Sequence, residues 1–168
     1  MGNSFSSKKI AFLSAGIALA MILSFIESQL PSFVAIPGVK IGLANIVVIF
    51  ALYRLGIKDA IIISLIRVFL VSVLFGNIMS LWYSLAGAFL SLVGMIILKN
   101  IKAFSYIAVS VIGGVLHNLG QIAMACIILE TSLIQYYAPF LIISGTIAGI
   151  VTGLAASIMI KRIDIKVN

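Results

Sequence analysis

The sequence predicts an all-α, polytopic membrane protein, a six-transmembrane-helix bundle, on three observations. Of its 168 residues, 63% are hydrophobic and 9% charged, and the mean hydropathy is +1.32, whereas a soluble domain is about half apolar and a quarter charged. The apolar runs are long and continuous and do not alternate with period two, which argues against a membrane β-barrel. The linkers are brief, so residues 1–168 read as a single six-helix membrane domain with almost nothing left for a soluble part.

Six spans are expected, at about Ile10 to Phe25, Ile41 to Leu55, Ala60 to Phe75, Ser80 to Leu98, Ser105 to Leu129 and Ala138 to Ile160. Several fall short of the roughly 20 residues that cross a bilayer core upright, so their ends are expected to run into the loops or to sit in thinned lipid. The second span is the weakest of the six. The Lys8–Lys9 pair before the first span resembles a signal peptide, yet five hydrophobic segments follow and no small-x-small cleavage site precedes Glu27, so an uncleaved span is expected.

The basic residues orient the bundle. Lys8 and Lys9 precede the first span, Arg54 and Lys58 follow the second, Lys99 and Lys102 the fourth, and Lys161, Arg162 and Lys166 the sixth. With six spans all of these lie on one side and Lys40 alone on the other, so both termini are expected in the cytoplasm of a multi-pass cell-membrane protein. Topology and lipid headgroups account for the formal charge of +7, and no nucleic-acid partner is needed to explain it. Cys126 is the only cysteine and lies inside the fifth span, which excludes an internal disulfide and a cysteine-based metal site.

With the direction of each span fixed, depth follows from the 1.5 Å rise per residue. Glu27 and Gln29 end the first span on the outer side, Lys40 and Asn45 begin the second there, and Asn77 sits at the outer turn before Trp82 and Tyr83. Tyr136 and Tyr137 lie in the last outer loop. Arg67 lies about 10 Å into the third span, where an unpaired cation costs on the order of 3 kcal/mol on insertion scales. It either holds the bundle through carbonyls or a carboxylate, or serves function. In "GGVLHNLGQ", His117, Asn118 and Gln121 share one broad helical face, with Gly113, Gly114 and Gly120 admitting close approach. That face is expected to look into the bundle, either as a hydrogen-bond lattice between helices, at about 0.6–2 kcal/mol per contact, or as the wall of a ligand cavity.

Small residues form stripes: Ala11, Ala15 and Ala18 on the first span; Ser80, Ser84, Gly87, Ser91 and Gly94 on the fourth; Gly145, Gly149, Gly153 and Ser157 on the sixth. They serve close packing inside the bundle or, on an outward face, the docking of a membrane partner.

"IPGVKIGLAN", "SLIRVFLVSVLFGN", "SLAGAFLSL" and "HNLGQ" together resemble the Gx transporter family, also labelled heptaprenyl diphosphate synthase component I, from about Ala11 to Leu154. More distantly the layout resembles the substrate-capturing S components of energy-coupling-factor transporters. That resemblance implies six helices, cytoplasmic termini, an outward-facing pocket for a vitamin-like compound, and a separate membrane scaffold with ATPase subunits. Ala11 and Ala15 match the scaffold-docking position. The chain has no Walker loop of its own, so any ATP hydrolysis belongs to partners.

The synthase label meets a chemical objection. Prenyl diphosphate elongation uses clustered aspartates to hold magnesium, and the only aspartates here, Asp59 and Asp164, are isolated. No enzyme activity, cofactor or metal site is therefore expected; His117 has no second ligand at metal spacing. The expected function is a substrate-binding membrane subunit of an importer, taking a small vitamin-like or isoprenoid- or quinone-related ligand. The expected contacts are His117, Asn118 and Gln121 as hydrogen-bonding groups, Asn45 and Asn77 as further polar groups, and Lys40 and Arg67 as cations for an anionic or carbonyl-rich ligand. Trp82 and Tyr83 either stack on a ligand ring or anchor the interface. The alternatives are a non-catalytic membrane partner of prenyl diphosphate or quinone biosynthesis or of a redox assembly, and proton-coupled transport served by a pair of inner and outer charges; Glu27 and Glu130, from different helices, are weak candidates for acid/base chemistry.

Overall fold

The computed structural model describes residues 7–29 and 42–163, and among these every long element is a helix. They are α1 (Ser7–Gln29), α2 (Asn45–Arg54), α3 (Ile57–Phe75), α4 (Ile78–Ile101), α5 (Tyr106–Ile128) and α6 (Ala138–Arg162), with a 3₁₀ turn at Leu133–Tyr137 ahead of α6. Local chemistry sets the boundaries. Gly56, at φ +117°, separates α2 from α3 in a conformation open chiefly to glycine. Asn77 caps α4: its side chain accepts from the Ser80 amide at 2.8 Å while Ser80 Oγ accepts from the Asn77 amide at 3.0 Å. The Ser105 hydroxyl accepts from the Ala108 amide at the start of α5, and proline opens the first turn of α6.

Four segments are long and apolar enough to cross a bilayer: α1, α4, α5, and the 3₁₀ turn continued by α6. Their outer faces carry Phe89, Ile127, Ile143 and Ile147, all more than half exposed, which is how a lipid-facing surface reads. The protein is membrane-embedded. The 19 residues of α3 hold three charged side chains, Lys58, Asp59 and Arg67.

The second expected span differs from its helix. Only Asn45–Arg54 is helical, because the chain turns through Gly42, at φ +73°, and Leu43 before α2 begins. Ten residues rise about 15 Å, half a bilayer core. α2 is apolar around its whole circumference, and Val47, Val48, Ile49, Phe50, Ala51 and Leu52 are all buried. Such a helix is walled by protein and escapes the length requirement that lipid imposes.

α5 is the hub, packed most closely on α4 and α6, and α1 packs on α3. The small-residue stripes of α4 and α6 both face α5. A Cβ at Gly149 would stand 2.5 Å from Val111 Cα, one at Gly145 3.0 Å from the Gly114 carbonyl oxygen, and one at Gly87 2.8 Å from that of His117. Gly120 meets the Ala86 carbonyl in the same way, so the glycines around the polar face of α5 admit helix backbones. On α1, by contrast, Ala11, Ala15 and Ala18 are exposed.

One end of the bundle is tied by cations. Lys9 Nζ lies 3.1 Å from a carboxylate oxygen of buried Asp59, Arg54 donates to the Ile160 carbonyl, and Lys99 donates to the Leu52 carbonyl while its ammonium lies 5.5 Å from the centre of the Tyr53 ring. These contacts join the starts of α1 and α3 and the ends of α2, α4 and α6 at one end.

Candidate functional site

Toward the other end the helices part around a small, open-mouthed cavity with about 80 Å³ of free interior. Every helix contributes to its wall. Ser24 and Glu27 come from the last turns of α1, Asn45 from the first turn of α2, Arg67, Val68, Val71 and Ser72 from the second half of α3, and Ser84 from the first half of α4. The centre of α5 adds Gly114, His117, Asn118 and Gln121, and the centre of α6 adds Gly145, Ala148, Gly149 and Thr152. Helices that alternate in direction bring these stretches to a common depth.

The two sides of the cavity are built differently. The α5–α6 side is a close-packed seam whose glycines leave a flat wall beside the polar groups. Asn118 is buried there: its amide nitrogen donates to the Leu141 carbonyl oxygen at 2.8 Å and reaches Ser144 Oγ at 3.4 Å. Deeper in the seam, Ser110 and Thr152 hydroxyls meet at 2.9 Å. The His117 ring packs over the bare face of Gly87, where a Cβ would stand 3.0 Å from Nδ1 and Cε1.

The α1–α3 side carries the charge. Arg67 lies in the cavity wall with its Nε buried and without a hydrogen-bond partner, and the buried Ser24 Oγ is likewise unpartnered. The Glu27 carboxylate acts on Arg67 through its charge, and its Oε1 accepts the backbone amide of Gly42, the residue that leads into α2. An acid, a guanidinium, three carboxamides and an imidazole thus share a hollow enclosed by apolar helices. That arrangement can orient a small molecule through several directed hydrogen bonds.

Of the sequence-predicted residues, Asn45, Arg67, His117, Asn118 and Gln121 line this one cavity. Asn77 does not: its carboxamide is spent on capping α4, and the residue is exposed. Lys40 lies outside the described residues. Trp82 is half exposed, and neither it nor Tyr83 lines the cavity. Glu130 is exposed beyond the end of α5. Ser24, Ser72, Ser84 and Thr152 were not anticipated as wall residues. The only signal for Ser24 is its spacing of three from Glu27, which puts both on one helical face. Among the described residues no three His, Cys, Asp or Glu side chains come together to hold a metal ion.

A family model described as heptaprenyl diphosphate synthase component I matches residues 17–159. The chain belongs to the heptaprenyl diphosphate synthase component I family. The match to component I takes in every cavity-lining residue, from Ser24 to Thr152, and leaves Ala11 and Ala15 outside it. No curated protein and no solved structure matches the chain.

Proposed function

We propose that this protein is the substrate-binding membrane subunit of an importer of energy-coupling-factor type or a related kind, and that the cavity between its helices takes a small vitamin-like or isoprenoid- or quinone-related ligand. The chain crosses the membrane six times in this reading, with α2 as a short helix walled by protein, and forms one domain of the cell membrane with both termini cytoplasmic. The cation-rich end faces the cytoplasm, so the cavity opens toward the exterior. His117, Asn118, Gln121 and Asn45 supply hydrogen bonds and Arg67 supplies positive charge. Exposed Ala11 and Ala15 dock a membrane scaffold, whose ATPase subunits drive release. The chain itself is not an enzyme. The observation that carries this reading is the convergence of Arg67, His117 and Gln121, from two different helices, on a hollow at membrane depth, where polar side chains are costly unless they are used.

The family description favours a second reading, in which the chain is a non-catalytic membrane partner of a prenyl diphosphate synthase or of quinone biosynthesis. Asp59 supports the non-catalytic part, since it is buried in an ion pair with Lys9 away from the cavity wall. Replacing His117 by Ala in cells separates the readings. Loss of uptake of a small molecule while partner pulldown persists supports the importer. Unaltered uptake and quinone content with persistent pulldown supports the assembly partner.

A further inference from the structure

Two polar groups on the α1–α3 side of the cavity are buried without a hydrogen-bond partner, and this bears on the class of molecule it takes. The guanidinium Nε of Arg67 only donates, and among the described residues nothing accepts from it. Ser24 Oγ is buried with no partner of its own and lines the same cavity from the neighbouring helix. The acid beside them, Glu27, already accepts the Gly42 amide through Oε1. Across the cavity the Asn118 amide nitrogen is committed to Leu141, so the donors left open lie on the α1–α3 side. A cationic ligand would meet Arg67 at close quarters, and among the described residues the one carboxylate that lines the wall is already engaged. A neutral carbonyl could accept from both donors through its two lone pairs but would bring no charge to the guanidinium.

We infer that the ligand carries an anionic group, a carboxylate or a phosphate, seated between Arg67 and Ser24 on the α1–α3 side, with the rest of the molecule against the flat glycine wall of α5 and α6. The two oxygens of such a group can accept from both open donors, and its charge meets the guanidinium in a low-dielectric setting where charge-assisted hydrogen bonds are at their strongest. The inference rests on the ligand-binding reading above.

The test uses probes of one size and different charge on the detergent-purified full chain: benzoate, phenyl phosphate, benzamide and benzamidine, read as protection against thermal unfolding. Benzoate or phenyl phosphate should protect, and the stronger of the two names the anionic group. Arg67→Gln should weaken that protection about tenfold or more, the loss expected for a hydrogen bond to a charged group, and Arg67→Lys should restore part of it. Ser24→Ala, a nearly volume-preserving change, should weaken it less, and it carries the comparison if Arg67→Gln fails to fold. Equal protection by benzamide, or preference for benzamidine, with Arg67→Gln and Ser24→Ala indifferent, would overturn the anionic assignment while leaving a binding cavity. Protection by none of the four, with no small molecule retained on the purified protein, would overturn the cavity reading and this inference with it.

Discussion

The Asn118 amide nitrogen donates to the Leu141 carbonyl oxygen at 2.8 Å, binding the centre of α5 to the first turn of α6 at the wall of the cavity. A carboxamide so placed has its donor committed to the fold and leaves its oxygen for the cavity. Asn118→Leu should therefore lower stability by about 1–2 kcal/mol, the usual worth of a buried hydrogen bond between membrane helices. Thermal unfolding in detergent checks this, and an unchanged midpoint would mean that the contact is dispensable.

The two kinds of small-residue stripe should respond differently to added volume. Gly149→Ala puts a methyl 2.5 Å from Val111 Cα, on backbone that cannot step aside. It should destabilise the α5–α6 seam by about 1–3 kcal/mol, as overpacking does. Ala15→Leu adds more volume at an exposed position and should leave the unfolding midpoint within about 0.5 kcal/mol of the wild type. It should nevertheless abolish co-purification of a scaffold subunit from the native membrane. Retention of the scaffold by Ala15→Leu would remove that face from the docking surface.

Lys9 and Asp59 should show the asymmetry of a partly buried pair, since the Asp59 side chain is 4% exposed and that of Lys9 32%. Lys9→Gln leaves a carboxylate in a poorly solvated place, whereas Asp59→Asn leaves a lysine free to reach the aqueous side. Lys9→Gln should be the more destabilising single change, by about 1–3 kcal/mol with solvent access to the lysine taken into account. The double variant should recover part of the loss in a double-mutant cycle read by chemical or thermal unfolding.

Topology gives a prediction independent of stability. In a Cys126→Ser background, Ser132→Cys, in the loop before the 3₁₀ turn, should label with a membrane-impermeant thiol reagent in intact cells. Phe104→Cys, between α4 and α5, should label only after the membrane is opened. The opposite pattern would invert the orientation and turn the cavity toward the cytoplasm.

The helical class was legible because composition and run length respond to lipid directly, and five of the six expected spans match α1, α3, α4, α5 and α6 to within about a turn. α2 was harder to delimit, since a helix enclosed by other helices need not meet the bilayer's length or show a polar face. The polar face of α5 was readable because His117, Asn118 and Gln121 follow helical spacing on a single element. Of the opposite wall only Arg67 stood out, as a cation inside a span; Ser24 and Ser72 become neighbours of that face only through the packing of α1 and α3, which no local pattern encodes. Asn77 illustrates the converse: an asparagine three residues before Ser80 at the head of a helix is a capping signal, and that local use takes precedence over the cavity. The stripes on α1, α4 and α6 look alike in sequence, and only the packing separates the exposed one from the two turned on α5.

Native mass spectrometry of the intact protein, released from its membrane without added ligand, tests the central claim most directly. The wild type should carry a reproducible excess mass of one small molecule, and Ala148→Trp, which fills the cavity from the α6 wall, should lose it while keeping its helical content. Bare protein in both preparations, or an adduct that persists unchanged when Ala148 is replaced by Trp, would contradict the claim that this hollow exists to hold a ligand.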